Sequence, residues 1–294
     1  MVNGIINVYK EKGYTSFDVV AKMRGIFHQK KIGHTGTLDP DAEGVLPVCL
    51  GKATKVCDLL TDKDKEYRAV LLLGQKTDTQ DISGKVIEKA EVNVSEQAVF
   101  SVINSFVGEQ EQIPPMYSAL KVNGKKLYEL AREGKEIERK PRKINIFSIE
   151  INDISLPEIT MTVHCSKGTY IRTLCNDIGE KLGCFGCMKS LLRTRVANFS
   201  LENAYKLEEV EEKNDSIVIS VDSLFMDMPE LSASSSADKL IANGNRIPVS
   251  FITGTLEFSE KSNYRLYTSE NKFVGIFEYH EETLDLKPIK IFME

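Results

Sequence analysis

Residues 31–50, KIGHTGTLDPDAEGVLPVCL, constrain this chain more than any other stretch. Gly33, Gly36, Gly44, Pro40 and Pro47 interrupt both the helical and the strand period, so the segment reads as an ordered loop. The apolar run at 45–50 reads as a buried strand that anchors the loop on a core. Reactive side chains concentrate on loops held by a rigid scaffold, and this one carries His34, Asp39, Asp41 and Glu43. Three readings compete. A calcium loop would need a bidentate Glu at its twelfth position, where this chain has Leu50, and it has prolines at the second and ninth. A solvated acidic turn follows from the local hydrogen bonding of Asp and Gly. The third reading is a catalytic carboxylate beside a histidine.

At 294 residues, 41% hydrophobic and 28% charged, the chain suits one large globular domain plus a small one. It has no apolar run of about 20 residues and no signal-peptide layout at its start; a cytoplasmic protein without a membrane partner is expected. Cys49, Cys57, Cys165, Cys175, Cys184 and Cys187 lie mostly in apolar stretches, as reduced core cysteines do. The lone Cys184-x-x-Cys187 pair has no second pair or His to complete a metal site. A net charge of −5 disfavours a nucleic-acid partner overall. Between 121 and 143, however, nine Lys or Arg stand against four Glu, enough for phosphate contacts if the face is not merely solvated.

Along the chain, residues 4–10 read as a strand, and Ser16 reads as the cap of a helix reaching about His28. A short helix is expected at 53–60, a strand at 66–74, a polar turn at 77–84 and a second strand through Val86 and Ile87. A helix starts at Ser95 and stops at Gly108. Pro114 and Pro115 forbid helix at the start of the next segment. A short helix at 126–132, strands at 144–154 and 159–165, and a helix carrying Ile171, Leu174, Cys175, Ile178 and Leu182 on one face follow. The serine run at 232–236 reads as a flexible turn or linker. From 240 onward, short strands alternate with turns as a small β-rich module with its own core.

Residues 33–55, GHTGTLDPDAEGVLPVCLGKATK, resemble the central motif of the TruB family of tRNA pseudouridine synthases. The resemblance recurs at Glu66-Tyr67-Arg68 with 73–79, at 114–124 with 127–132, at 165–174 and at 191–196. Together these cover most of residues 3–199. It implies an isomerase without metal or cofactor that converts the T-loop uridine at position 55 of tRNA to pseudouridine. Asp39 would be the nucleophile, at C1′ of the sugar or C6 of the base. Arg172 would pair with Asp39 and keep it ionised. Tyr67 would stack on the flipped uracil and share in proton transfer. His34, Tyr170 and Leu192 would line the substrate site. Lys121, Lys125, Lys126 and Arg142 would grip the RNA backbone from a basic insert at about 114–143.

The expected fold is α/β of the α+β type. A catalytic domain at 1–230 is built on a mixed, largely antiparallel sheet, and a small PUA-like RNA-binding module occupies 231–294. The expected partner is the tRNA T-arm, engaged by a monomer without a protein partner. Two rival readings are an RNA-folding protein with secondary catalysis and a guide-RNA-dependent synthase acting on ribosomal RNA.

Overall fold

The computed structural model describes residues 1–122, 124–254 and 258–293. The chain runs through β1 (Gly4–Lys10), α1 (Ser16–Ile26), β2 (Ile32–His34), β3 (Glu43–Leu50), α2 (Cys57–Thr61) and β4 (Lys65–Leu73). A hairpin of β5 (Gln75–Thr77) and β6 (Val86–Lys89) leads to α3 (Glu96–Asn104) and β7 (Gly108–Gln112). A second small hairpin, β8 (Lys121–Val122) and β9 (Lys125–Lys126), precedes α4 (Leu127–Arg132). Then come β10 (Arg142–Ser155), β11 (Glu158–Cys165), α5 (Ile171–Lys181), β12 (Gly186–Val196), β13 (Phe199–Ser200) and α6 (Leu207–Lys213).

Among the described residues, nine of these strands form one sheet in the order β1-β3-β12-β4-β11-β10-β7, with β2 on β3 and β13 on β12. β3 and β12 pair in parallel, whereas β1, β4, β7, β10 and β11 pair antiparallel with their neighbours. The sheet is therefore mixed and largely antiparallel, as the sequence suggested.

β3 is apolar on both faces because both are covered. Leu46, Val48 and Leu50 pack with Val19, Val20 and Met23 of α1 and with Phe27 just beyond its end. On the other face, Val45 and Cys49 join Ile5, Val196, Phe199, Ile276 and Phe292. β4 instead alternates, sending Tyr67, Ala69, Leu71 and Leu73 into a cluster with Met161, Val163 and the Ile171, Leu174 and Ile178 stripe of α5.

Three local expectations need correction. Thr15, not Ser16, caps α1: its Oγ1 accepts from Asp18 N (3.0 Å) while Asp18 Oδ2 accepts from Thr15 N (2.8 Å). Gly108 does not merely stop α3 but opens β7. The serine run is no linker, since β14 (Glu230–Ala233) pairs there with two other strands.

The chain continues through α7 (Asp238–Ala242), β15 (Ile247–Pro248), β16 (Ile252–Thr253), β17 (Asn263–Tyr267), β18 (Phe273–His280) and β19 (Asp285–Ile291). Among the described residues, these strands and β14 form a six-stranded sheet around Leu231, Tyr264, Leu266, Phe277 and Leu286. Lys55 Nζ donates to the Ile291 carbonyl (2.6 Å), and Phe292 stacks on Phe273 within the cluster below β3.

Gly44 is where β12 comes closest to the start of β3. A Cβ at Gly44 would lie 2.2 Å from the Arg193 carbonyl oxygen, and φ there is +107°. Gly44→Ala is therefore expected to cost about 2–5 kcal/mol from backbone strain and steric overlap. Chemical denaturation would show a matching fall in midpoint. An unchanged midpoint would contradict the close approach.

Candidate active site

Residues 35–42 bridge β2 and β3, and their backbone is bonded on both sides. Ser16 Oγ accepts from Leu38 N (2.9 Å) and lies 3.3 Å from Leu38 O. The Pro40 carbonyl accepts from Gly13 N (2.9 Å) and from Lys10 Nζ (3.2 Å). Lys10 is fully buried, its ammonium also donates to the Tyr14 carbonyl (2.6 Å), and burial pushes its pKa down to about 8. Leu38 and Ala42 are buried in the core under β4. Asp39, between them, is held by backbone geometry at an opening where 42% of its side chain is exposed.

Arg172 reaches Asp39 from the first turn of α5. Its Nε lies 3.0 Å from Asp39 Oδ2 and its Nη2 3.4 Å from Oδ1, a two-point contact that suits the guanidinium fork. Nη1 donates to the Thr79 carbonyl (3.1 Å), Nη2 to the Tyr117 carbonyl (2.8 Å), and Nη1 lies 3.6 Å from Asp81 Oδ2. A cation is poorly placed in the first turn of a helix. Two carboxylates and two carbonyls offset this, and the Arg172 side chain is only 6% exposed.

Asp81 is the residue that the sequence does not single out. It lies in the polar turn between β5 and β6, with Oδ1 accepting from Thr79 Oγ1 (2.7 Å) and Ser83 N (3.0 Å). Burial raises the pKa of Asp39 above the usual carboxylate range, Arg172 opposes that rise, and the Asp81 charge adds to it. Asp81→Asn removes the repulsive charge, so Asp39 should ionise more readily and the acid limb of kcat/KM should move to lower pH. The looser Arg172 should lower kcat by up to about 100-fold. A pH–rate profile that moved upward would contradict this arrangement.

Tyr67 lies on the same side of the sheet, 8% exposed, opposite Arg193 on β12. Arg193 is 1% exposed and has no carboxylate in ion-pair range among the described residues. It donates to the carbonyls of Val45 (2.7 Å) and Gly36 (3.2 Å), so it ties β3 and the loop together. Burial raises the Tyr67 pKa, and the facing Arg193 pulls it back down. Burial likewise raises the Tyr170 pKa, and the Asp39 charge adds to the rise at both tyrosines.

The remaining expected residues are distributed as follows. Tyr170 precedes α5, its N donating to Gln112 Oε1 (2.8 Å) and its carbonyl accepting from Gln112 Nε2 (3.0 Å). His34 does not sit in open loop as expected. It ends β2 opposite Val48, with Nδ1 accepting from Gly36 N (3.3 Å), and burial holds it below the usual histidine range. Leu192 is misassigned as a pocket residue: it pairs with exposed Arg68, on the face away from Tyr67, whereas Leu191 pairs with Ala69 and joins the Tyr67 cluster. A one-residue slip along a strand exchanges its faces. Lys121, Lys125 and Lys126 lie on the β8–β9 hairpin, and exposed Arg142 opens β10 opposite Gln112. Asn123, within the matched segment 114–124, lies outside the described residues. The Tyr117 carbonyl on Arg172 connects this segment to the Asp39 cluster.

Residues 24–171 match the family described as TruB family pseudouridylate synthase (N terminal domain), and residues 172–226 match tRNA pseudouridylate synthase B C-terminal domain. The chain is 54% identical to tRNA pseudouridine synthase B of Lachnoclostridium phytofermentans, covering 99% of this chain and all of that one. It is 46% identical to the protein of the same name from Alkaliphilus oremlandii, over 99% and 97% of the two chains. Among solved structures, a chain of an H/ACA RNP bound to a substrate RNA containing 2′-deoxyuridine superposes with a TM-score of 0.71 at 25% identity, over 99% of this chain and 85% of that one. A chain of a Cbf5-Nop10-Gar1 complex gives 0.70 at 28% identity, with the same coverage. With Asp39 on its glycine-rich loop, Arg172 on α5 and Tyr67 on the central sheet, and with matches along nearly its whole length, this chain belongs to the TruB family of pseudouridine synthases.

Proposed function

We propose that the chain isomerises the T-loop uridine at position 55 of tRNA to pseudouridine. The reaction cleaves N1–C1′, turns the uracil and joins C5 to C1′; a proton leaves C5 and N1 gains one, so no atom is lost. The target uridine leaves its stack to reach Asp39. Asp39 attacks as the nucleophile, at C1′ or C6. Arg172 keeps Asp39 ionised and aims it. Tyr67 stacks on the uracil and assists removal of the C5 proton, with Tyr170, His34 and Leu191 bounding the site. The observation that carries this reading is the buried Arg172 spanning Asp39 and the Thr79 and Tyr117 carbonyls.

The test is conversion of an unmodified tRNA transcript, followed by mapping of pseudouridine. Product at the T-loop position supports the reading, and its absence overturns it. We further propose that the β8–β9 hairpin grips the T-arm backbone, that residues 231–294 form an RNA-binding module, and that the chain works in the cytoplasm as a monomer without a protein partner. No helix among the described residues is long and apolar enough to cross a membrane. Charge reversal at Lys125 and Lys126 should weaken tRNA binding and lower the slope of log Kd against log salt by about 1 for each lost phosphate contact. An unchanged slope would remove the hairpin from the RNA interface.

A further inference from the structure

The outward face of α1 carries features that the chemistry at Asp39 does not use. The start of α1 is bonded to the catalytic loop through Ser16 to Leu38 and Gly13 to Pro40. It also lies on the same side of the sheet as Tyr67: Tyr67 pairs with Arg193, Arg193 with Gly44, and Leu46, Val48 and Leu50 beyond Gly44 pack under α1. Phe17 on the opposite side of α1 is 64% exposed. The Arg24 guanidinium stands 5.8 Å from its ring centre, steadied by a bond from Nε to the Lys30 carbonyl (3.1 Å).

Charge around this pair is one-sided. Lys12, Lys22, Arg24, Lys30 and Lys31 are exposed and form no ion pair among the described residues. The nearby acids are engaged, Asp18 in the cap of α1 and Glu11 with Lys206 (3.6 Å). A shallow groove of about 520 Å³, lined by Gly13, Tyr14, Asp18, Ala21, Lys22 and Gly25, runs along the helix. A lone exposed phenylalanine is ordinary. One paired with arginine and set with four further exposed cations, on a helix bonded to the catalytic loop, has the makeup of a base-stacking platform.

We propose that the outward face of α1 is a second RNA-binding surface, where Phe17 and Arg24 stack an unpaired nucleobase of the tRNA and Lys22 with its neighbouring cations contacts phosphates. The inference rests on the proposed tRNA substrate. An extruded uridine leaves neighbouring loop bases unstacked, and aromatic and guanidinium planes receive such bases.

Binding and steady-state kinetics on unmodified full-length tRNA test it with Phe17→Leu, Phe17→Trp, and the double variant Lys22→Glu with Arg24→Glu. Phe17→Leu keeps apolar bulk but loses the aromatic face, so Kd and KM should rise about tenfold, while kcat at saturating tRNA stays within about twofold. Phe17→Trp should restore wild-type KM. The double variant should lower the salt slope by about 1–2. Wild-type KM in Phe17→Leu together with a wild-type salt slope in the double variant overturns the α1 surface while leaving the tRNA reading standing. A wild-type protein that makes no pseudouridine in tRNA overturns that reading instead, and tRNA affinities of the same variants still decide the surface.

Discussion

Asp39→Asn is expected to lower pseudouridine formation by at least about 10⁴-fold, on the scale seen when a catalytic nucleophile is removed. The exchange is nearly isosteric, and its amide oxygen can still accept from Arg172. Arg172 also keeps Asp81 and the Thr79 and Tyr117 carbonyls as partners, so the loop should hold its shape. What disappears is the anionic oxygen that forms the covalent bond. Affinity for tRNA should stay within about threefold, because phosphate contacts dominate binding and Asp39 makes none. Single-turnover assays on a tRNA transcript, alongside a binding titration, separate the two effects. Turnover by Asp39→Asn at a tenth of the wild-type rate or more would remove Asp39 as the nucleophile.

Arg172→Ala has the second largest expected effect, and it acts on both chemistry and stability. Without the guanidinium, Asp81 keeps a carboxylate at 18% exposure, and the Thr79 and Tyr117 carbonyls lose a donor. Removing one partner of a buried pair costs about 3–5 kcal/mol. The lower end applies here because Asp39 is 42% exposed and solvent screens part of the loss. A fall in Tm of roughly 2–4 °C per kcal/mol should accompany it. Arg172 is the main influence holding the Asp39 pKa down, so its loss raises that pKa further. The ionised fraction of Asp39 then falls at a given pH, and the acid limb of kcat/KM moves toward neutrality. With Asp39 also misaimed, kcat should drop about 10³-fold. Arg172→Lys should return part of the pH position, because charge is kept, but not the rate, because one ammonium cannot span all four acceptors. Full kcat in Arg172→Lys would show that charge alone suffices.

The parts of the active site that could be read from sequence were those written in local patterns. The glycines and prolines around Asp39 exclude regular structure there, and the apolar run behind them becomes β3. The alternation in β4 places Tyr67 with the core, and the stripe from Ile171 to Ile178 defines the buried face of α5. Leu191 and Leu192 were the point of failure, because the two adjoin in the matched segment, and only the pairing of Leu191 with Ala69 and of Leu192 with Arg68 shows which of them faces the Tyr67 cluster. Ser16 was misread for a similar reason: two hydroxyl residues adjoin, and only the backbone shows that Thr15 caps the helix while Ser16 turns toward Leu38.

Sequence is sufficient for the residue types the chemistry needs, the loop that presents Asp39 and the mixed α/β class, because each depends on steric and hydrophobic preferences acting over a few neighbours. The partnership of Asp39 with Arg172, 133 residues away, was legible only as a family resemblance. Its reinforcement by Asp81, the burial of Arg193 beneath the loop and the seating of Phe292 under β3 all come from folding. Their energies depend on distance and burial between segments remote in the chain, and those quantities exist only once the sheet has brought the segments together.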